Sequence, residues 1–488
     1  MIPANPDMIA RAYNTHYEII GYELGVSKYL EHMMSKYDRI CHQWIPYYYY
    51  DDKRKILYLP RGLDPIVLNQ VTGRPVTFLQ KNPPKRKTIF TLDNLPRDDY
   101  QRKMIRFMVG MGEFEKMRGV SQQVLSLPTR SGKTYITIAA LSLLEFRGLI
   151  IVNSDELRNQ WRDEIIKHTQ LTANHVEIIK SSEAFWDYAQ ERYPSSDRYV
   201  FISTHRAIYN AVKTYGVDVL DTALTNLDIG VKVIDEAHIE FRNTLTTDYF
   251  TDVWKTFYLT ATFARSDTDE NRIYQRAFNQ VNKMSAANPE RVPSIVVSMV
   301  GYCNRPSYLE EQEICFGRRG FNKHRYISRE LRCGSLEKEI LSILELCIEK
   351  SKLEGKILIL LSSLEAEEHM KAAIENRYPG YKVCCHNSKN PIVDFREYGI
   401  VCATGQKLGT GVTIPKLRVI INTEPTPSAV NIIQTKGRLD VYEEGKDTFY
   451  FYVMNVAFRK VHQYFNQAIK ILQPVVKEVL VRDDLIRR

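Results

Sequence analysis

Residues 125–141 read LSLPTRSGKTYITIAAL, and the Gly-Lys-Thr at 132–134 decides how the chain is understood. It stands behind a short apolar strand and in front of a run with helical spacing. The usual phosphate loop, G-x-x-x-x-G-K-[ST], opens with a glycine five residues before the second one. Here that position is Leu127. In such a turn backbone N–H groups point into a cavity at a helix N-terminus, where the helix dipole favours anions. Pro128, Thr129, Arg130, Ser131 and Gly132 would wall the loop. Lys133 would reach terminal phosphates and the Thr134 hydroxyl would hold a magnesium ion. By itself the tripeptide is equally a plain strand-to-helix turn.

The second signal lies about a hundred residues on. VKVIDEAH, 231–238, is an apolar strand ending in two carboxylates. Asp235 at the strand edge is suited to the magnesium ion, and Glu236 to orienting and deprotonating an attacking water. Adjacent acids alone could be a solvated turn. Paired with a phosphate loop across a strand–helix rhythm, they make 125–141 a nucleotide site, with Leu127 as a variant of its entrance.

That rhythm runs outward in both directions. VLSLP, GLIIVN, YVFIST, VKVID and TFYLTAT alternate with helical patterns; then PSIVVSMV, KILILLSS, GIVCAT, LRVIIN and TFYFYVM form a second series. The expected fold is α/β, two tandem parallel-sheet domains preceded by a small α+β domain. The boundaries follow composition: residues 1–88 as an accessory module ending in the linker KNPPKRK (81–87), 89–287 as the first domain, and 288–488 as the second. Within the module, HQWIPYYYYDDKRKILYLPRGL suggests a hairpin of Trp44–Tyr50 and Lys55–Leu59 about a turn at 51–54.

Composition narrows the classes. The 488 residues are 44% hydrophobic and 26% charged, which fits a soluble globular protein of two to four domains. No run approaches the roughly 20 apolar residues that span a bilayer. MIPANPDMIARAY lacks a basic flank followed by an apolar block, so no secretory signal is expected. Eight cysteines without a C-x-x-C pair point to reduced thiols in a cytoplasmic compartment and away from a zinc site. The net charge of +9 is compatible with a polyanionic partner without establishing one.

With PTRSGKT and DEAH both present, the chain resembles superfamily 2 helicases and translocases over about residues 95–445. LPRDDYQ ends in Tyr100-Gln101, similar to the family's glutamine motif, which contacts adenine. IIVNSDELRNQW (150–161) and ISTHRAI (202–208) fall where its first-domain nucleic-acid segments do. LTAT (259–262) resembles the motif that couples hydrolysis to movement, implying coupling roles for Thr260 and Thr262, together with His238. ILILLSS, VCATGQKLGTGVTIPKLRVII and QTKGRLD follow in the family's order, which implies that Gly411, Gln434 and Arg438 serve the nucleotide. GTGVTIPKL and the small preceding domain look most like phage branch-migration helicases of the UvsW type.

Two positions depart from the pattern. Many relatives carry a second arginine where this chain has Val441, and an aspartate for the ribose where it has Thr413. An arginine finger contributes several kcal/mol in the transition state, on the order of 10³–10⁵ in rate, so either Arg438 suffices, or a cation such as Lys446 substitutes, or the motor is slow.

The resemblance implies ATP and Mg2+ as cofactors and a helicase that remodels branched DNA: forks, Holliday junctions and displaced-strand loops, in recombination, repair or replication restart. Its partners would be branched or partly single-stranded DNA and recombination or replication proteins. The chain would be monomeric and cytoplasmic, in a host cell if phage-encoded, with no membrane association. An RNA helicase, a duplex translocase and a nucleotide-gated binding protein with a weak motor stay open as alternatives. Phosphate contacts are expected at the strand ends Thr204, His205, Thr404 and Gly405, where helix capping is the competing use. In the basic run GRRGFNKHR (317–325), Arg318 and Arg319 are phosphate contacts or solvated cations. Tyr48 and Tyr50 would share one strand face, as a base-stacking platform or a solvated surface. A chain starting near Lys87 would then keep hydrolysis and lose its preference for branched substrates.

Overall fold

The computed structural model describes residues 7–38, 41–84, 87–128, 131–191, 197–261, 268–285, 294–317, 320–387, 389, 393–405, 414–439 and 446–483. The chain divides into two units, Met1–Asn288 and Pro289–Arg488.

Seven strands lie among the described residues of the first 88: β1 (Ile9–Ala12), β2 (His16–Ile20), β3 (Ser35–Asp38), β4 (Gln43–Pro46), β5 (Tyr49–Asp51), β6 (Ile56–Pro60) and β7 (Thr77–Phe78). Five of them form a mixed sheet in the order β5-β6-β2-β1-β7, and β3 pairs with β4 separately. The aromatic hairpin is present in altered form. Tyr49 stands opposite Tyr58 across β5 and β6, whereas Trp44 pairs with Tyr37 on β3. The single strand expected over Trp44–Tyr50 is therefore broken at Tyr47 and Tyr48. The four tyrosines do not alternate between inside and outside, because each finds apolar cover. Tyr47 is buried against Phe241 and donates to Glu270 Oε1 (2.7 Å). Tyr49 meets Phe250 edge-on, and the Tyr50 hydroxyl donates to Tyr22 O (3.2 Å).

After the module come β8 (Gln122–Ser126), β9 (Arg147–Val152), β10 (Val176–Ile178), β11 (Val200–Thr204), β12 (Ile229–Ile234), β13 (Lys255–Thr260) and β14 (Asn282–Ser285), in the order β10-β11-β9-β12-β13-β8-β14. The second unit repeats this with β15 (Ile295–Tyr302), β16 (Lys356–Leu361), β17 (Val383–His386), β18 (Ile400–Thr404), β19 (Leu417–Asn422), β20 (Thr448–Asn455) and β21 (Glu478–Asp483), in the order β17-β18-β16-β19-β20-β15-β21. Strand for strand the two orders are the same, and every pairing in both sheets is parallel. The fold is two tandem RecA-like parallel-sheet domains with a small α+β domain in front. Parallel strands covered on both faces must be apolar on both, which is why β9 and β16 read as unbroken runs.

The first sheet has two distinct faces. Leu125, Ile150, Val152, Val233, Phe257 and Leu259 face helices Asp99–Val109, Lys133–Leu144 and Asp155–His168. Their strand neighbours Val124, Leu149, Ile151, Ile234 and Tyr258 point the other way, into a core that also contains Tyr17, Ile19, Leu57, Leu59 and Leu68 of the module. The module and the first sheet thus share one hydrophobic core. A polar seam runs through it. Asn14 Nδ2 donates to Val253 O (3.1 Å), Thr15 N donates to Asp252 Oδ1 (3.2 Å), and Gln122 Nε2 donates to Thr15 O (3.1 Å). Gln122 Nε2 also donates to the Tyr258 hydroxyl (2.6 Å), which donates to Asp248 Oδ2 (2.7 Å). Asp248 in turn pairs with the fully buried Lys232 (2.7 Å). At Gly62 the approach is so close that a Cβ would run into the backbone carbonyl of Ala277. A chain starting near Lys87 would lose about a third of this core and leave Asp252 without its Thr15 donors, so the packing gives no support to a separable module.

Candidate nucleotide-binding site

The turn after β8 begins one residue later than a glycine-opened loop. Leu127 is fully buried in the sheet face of Leu125, and its N–H donates to Thr260 O (3.0 Å), which prolongs the β8–β13 ladder. The chain leaves the sheet at Pro128, which has no N–H to extend the ladder. Ser131 N donates to Pro128 O (3.3 Å), and Gly132 at φ +87° starts helix Lys133–Leu144. Glycine is required there, since a Cβ would stand 2.5 Å from Gln101 Nε2. Gln101 is held on both sides: its Oε1 accepts from Arg97 N (2.9 Å) and its N–H donates to Asp98 Oδ1 (2.8 Å). Tyr100 packs in the core beside it. Thr129 and Arg130 lie outside the described residues.

Two features of this turn fit a phosphate. Ser131 Oγ is buried without a hydrogen-bond partner. Gly132 supplies no side-chain cap, so the first N–H groups of the twelve-residue helix have no side-chain acceptor from that position. Unsatisfied donors at a helix N-terminus are what an anion completes.

The acids complete the site. Lys133 Nζ lies 3.0 Å from Glu236 Oε1, with the two side chains only 10% and 18% exposed. Glu236 Oε2 is 3.3 Å from His238 Nδ1, which is 2.8 Å from Thr260 Oγ1. Glu236 takes φ +48°, uncommon for a residue with a side chain and of a kind that gathers at functional sites. Burial alone would raise the Glu236 carboxyl, but the Lys133 and His238 charges outweigh it and hold it below the usual range. Asp235 moves the opposite way, raised by burial and then by the neighbouring Glu236. Its Oδ2 accepts from Trp161 Nε1 (2.9 Å) and its Oδ1 from Glu236 N (3.0 Å). Among the described residues no cluster of three or more His, Cys, Asp or Glu side chains is placed to hold a metal. The donor set fits the phosphate-loop kind of magnesium site instead, with the hydroxyl of Thr134 and the carboxylate of Asp235 as protein ligands.

The residues read as nucleic-acid contacts are placed differently. Thr204 uses its hydroxyl to cap helix His205–Tyr215, accepting from Ala207 N (3.2 Å). His205 is buried with Nδ1 2.8 Å from Thr247 Oγ1, and burial, then the Lys232 charge, depresses its pKa to about 3. It is a packed, neutral ring. Thr404 ends β18 and Gly405 follows it, both half-buried. Tyr48 and Tyr50 are half-buried against the shared core. In GRRGFNKHR, Lys323 pairs with Glu424 (3.3 Å) and Arg325 with Glu313 (3.1 Å). Gln434 lies on helix Ala429–Lys436 and Arg438 in the turn Gly437–Leu439. Arg318, Arg319, Gly411, Thr262, Thr413, Val441 and residues 287–291, where the boundary between the two expected domains falls, lie outside the described residues.

Sequence reasoning missed Trp161 at the Asp235 carboxylate and the Lys232–Asp248 seam. Trp161 carried a signal, closing the segment IIVNSDELRNQW, but that segment resembled a nucleic-acid contact rather than part of the nucleotide site.

Comparison with known proteins agrees with this geometry. Residues 94–265 match the family model described as "Type III restriction enzyme, res subunit". A "Putative DNA 3'-5' helicase Rad25" of Haloarcula marismortui is 32% identical over 111 residues, 23% of this chain and 15% of that protein. The "General transcription and DNA repair factor IIH helicase/translocase subunit XPB" of Encephalitozoon cuniculi is 23% identical over 117 residues, 24% of this chain and 16% of that one. The chain thus spans under a sixth of the length of these curated relatives. The solved structure "S. cerevisiae Dbp5 bound to RNA and ADP BeF3" aligns with a TM-score of 0.48 at 13% identity, over 79% of this chain and 90% of that one. No helix among the described residues is long and apolar enough to cross a membrane. The phosphate-loop turn and the paired acids both lie within residues 94–265, the stretch similar to the restriction-enzyme subunit, and over shorter stretches the chain is similar to the two helicase relatives.

Proposed function

We propose that the chain is an ATP-dependent, magnesium-requiring DNA helicase or translocase that remodels branched DNA in recombination, repair or replication restart, of the branch-migration type. The observation that carries the reading is the line Lys133, Glu236, His238 and Thr260, each within hydrogen-bond or ion-pair reach of the next, beside a turn with unsatisfied donors. Lys133 binds the terminal phosphates and in doing so releases Glu236. Glu236 is kept ionised, and parting from Lys133 makes it a stronger base, which suits it to orient the attacking water and take its proton. His238 and Thr260 fasten that carboxylate to the end of β13, so a change at the nucleotide reaches the strand that leads into 261–267. A bound magnesium ion would supply charge neutralisation on the phosphates, held by Thr134 and Asp235. Gln101, fixed beside Gly132, reads the adenine edge. By the resemblance to superfamily 2 helicases Gln434 and Arg438 would serve a nucleotide, and Val441 stands where many relatives carry a second arginine. Thr404, Gly405 and the segment with Arg318 and Arg319 bind the nucleic-acid backbone.

Glu236→Gln tests the site. It keeps the shape and the Lys133 contact but removes the base, so ATP should bind with near-parental affinity and remain uncleaved, with turnover lowered about 10²–10⁴-fold. Parental turnover in this variant sinks the assignment. The substrate is tested on the parent protein, by comparing ATP-driven remodelling of fork, junction, displaced-strand loop, linear duplex and RNA duplex at fixed salt. Equal action on RNA duplex would favour the RNA-helicase reading.

A further inference from the structure

We propose that Trp161 is a positioning residue for the metal-binding carboxylate of Asp235, an inference that rests on the nucleotide-site reading above. Trp161 sits on helix Asp155–His168, 2% exposed and packed into the core face that also holds Leu127 and Ile136. Its ring is therefore placed by core packing and not by a flexible chain. The indole has one N–H donor and no acceptor, and that donor is spent on Asp235 Oδ2 at 2.9 Å. The other carboxylate oxygen accepts from Glu236 N at 3.0 Å. Two donors on different oxygens fix both the rotamer and the plane of the carboxylate, and each oxygen keeps a lone pair for a cation.

An indole also suits the electrostatics. Asp235 shares its surroundings with Glu236 and Lys133, and a charged partner in place of Trp161 would compete with that pair for Glu236. A neutral donor that does not titrate holds the carboxylate without altering the charge balance. Partners of this kind around metal ligands are worth about 10–100-fold in metal affinity. The three other tryptophans, Trp44, Trp186 and Trp254, are placed elsewhere: Trp186 stacks on Tyr215 and Trp44 on His32.

The test uses the full chain and Mn2+ as the probe, with free Mn2+ followed by electron paramagnetic resonance in the presence of ADP. Trp161→Phe keeps the ring and deletes the donor. We expect it to weaken Mn2+ binding about tenfold, with metal-free ADP affinity and thermal midpoint close to the parent. Trp186→Phe should leave Mn2+ binding unchanged. If Trp161→Phe binds Mn2+ like the parent, or loses ADP affinity and thermal stability together with it, the positioning role is overturned. A parent that binds no Mn2+ with ADP would instead sink the nucleotide-site reading. Should the variant fail to fold, the parent still decides: the indole proton left unassigned by Trp44→Phe, Trp186→Phe and Trp254→Phe spectra must exchange far more slowly than that of the half-exposed Trp44, and equally fast exchange overturns the proposal.

Discussion

β8 and β15 hold the same position in two sheets of identical strand order, yet their C-terminal ends are opposites. After β8 the turn leaves donors unmet, at Ser131 Oγ and at the start of helix Lys133–Leu144. After β15 the chain meets its own needs. Arg329 donates to Asn304 O (3.4 Å) and Arg305 O (3.2 Å) and pairs with the buried Glu330 (2.6 Å). Glu330 also accepts from the Tyr302 hydroxyl (2.8 Å), and Asn455 Nδ2 donates to Asn304 O (2.6 Å). Two strands over, the contrast repeats. β12 ends in the acids Asp235 and Glu236, whereas β19 ends in Asn422, whose Oδ1 accepts from Glu424 N (2.9 Å), and Thr423, whose hydroxyl donates to Leu360 O (2.7 Å). A parallel sheet supplies a crevice beyond its strand ends in either case. Whether that crevice takes a ligand depends on which polar groups the chain has left for it.

The largest expected effect breaks the contrast from the β8 side. Lys133→Ala should lower ATP turnover about 10³-fold while nucleic-acid binding persists, measured as phosphate release beside a filter-binding titration. Substantial residual turnover would mean that the unmet donors of β8 are not a phosphate site. The β15 side should respond in stability instead. Arg329→Ala strands the buried Glu330 carboxylate, and breaking a buried pair in this way costs about 3–5 kcal/mol. Chemical denaturation should show that loss in the second unit, with ADP affinity at the first unchanged. A mild effect on stability would mean that the β15 end is less self-sufficient than its bonds suggest.

Smaller effects sharpen the picture. Gly62→Ala pushes a methyl into the carbonyl of Ala277 and should cost about 1–3 kcal/mol, read as a lowered denaturation midpoint of the first unit. The smallest concerns Glu367, fully buried on helix Leu364–Arg377 and accepting from Asn387 Nδ2 (2.7 Å). Burial raises its carboxyl from 4.5 to about 7. The folded chain therefore holds this proton where the unfolded chain has released it, and stability falls as pH rises from 4.5 to 7. Glu367→Gln removes that penalty. Its thermal midpoint should exceed the parent's by a few degrees at pH ~8 and by much less at pH ~5, the unfolded glutamate titrating near 4.3. An equal difference at both values would show that the carboxyl is not proton-bound in the fold.

The parts legible in the sequence were those in which local order dictates structure. Parallel strands buried on both faces appear as apolar runs, and Lys133, Asp235 and Glu236 sit within short motifs whose spacing the chemistry fixes. Tyr47 to Tyr50 were illegible for the converse reason: four consecutive tyrosines satisfy any period, so their pattern could not say where the strand breaks. Trp161 and Asp235 are separated by 74 residues and Thr15 and Asp252 by 237, and no local rule pairs them. The module reads as separate because a proline-rich basic segment follows it, yet its apolar face is spent on residues that arrive much later.

That order of arrival has a consequence in time. Tyr47 must wait for Glu270, 223 residues downstream, before its hydroxyl is satisfied and its ring covered. At about 5–20 residues per second of synthesis, the newborn module spends roughly 10–45 s with that face bare. During that interval its tyrosines and leucines are open to chaperones or to a second nascent chain. The module therefore finishes folding only once the chain has been made out to Glu270.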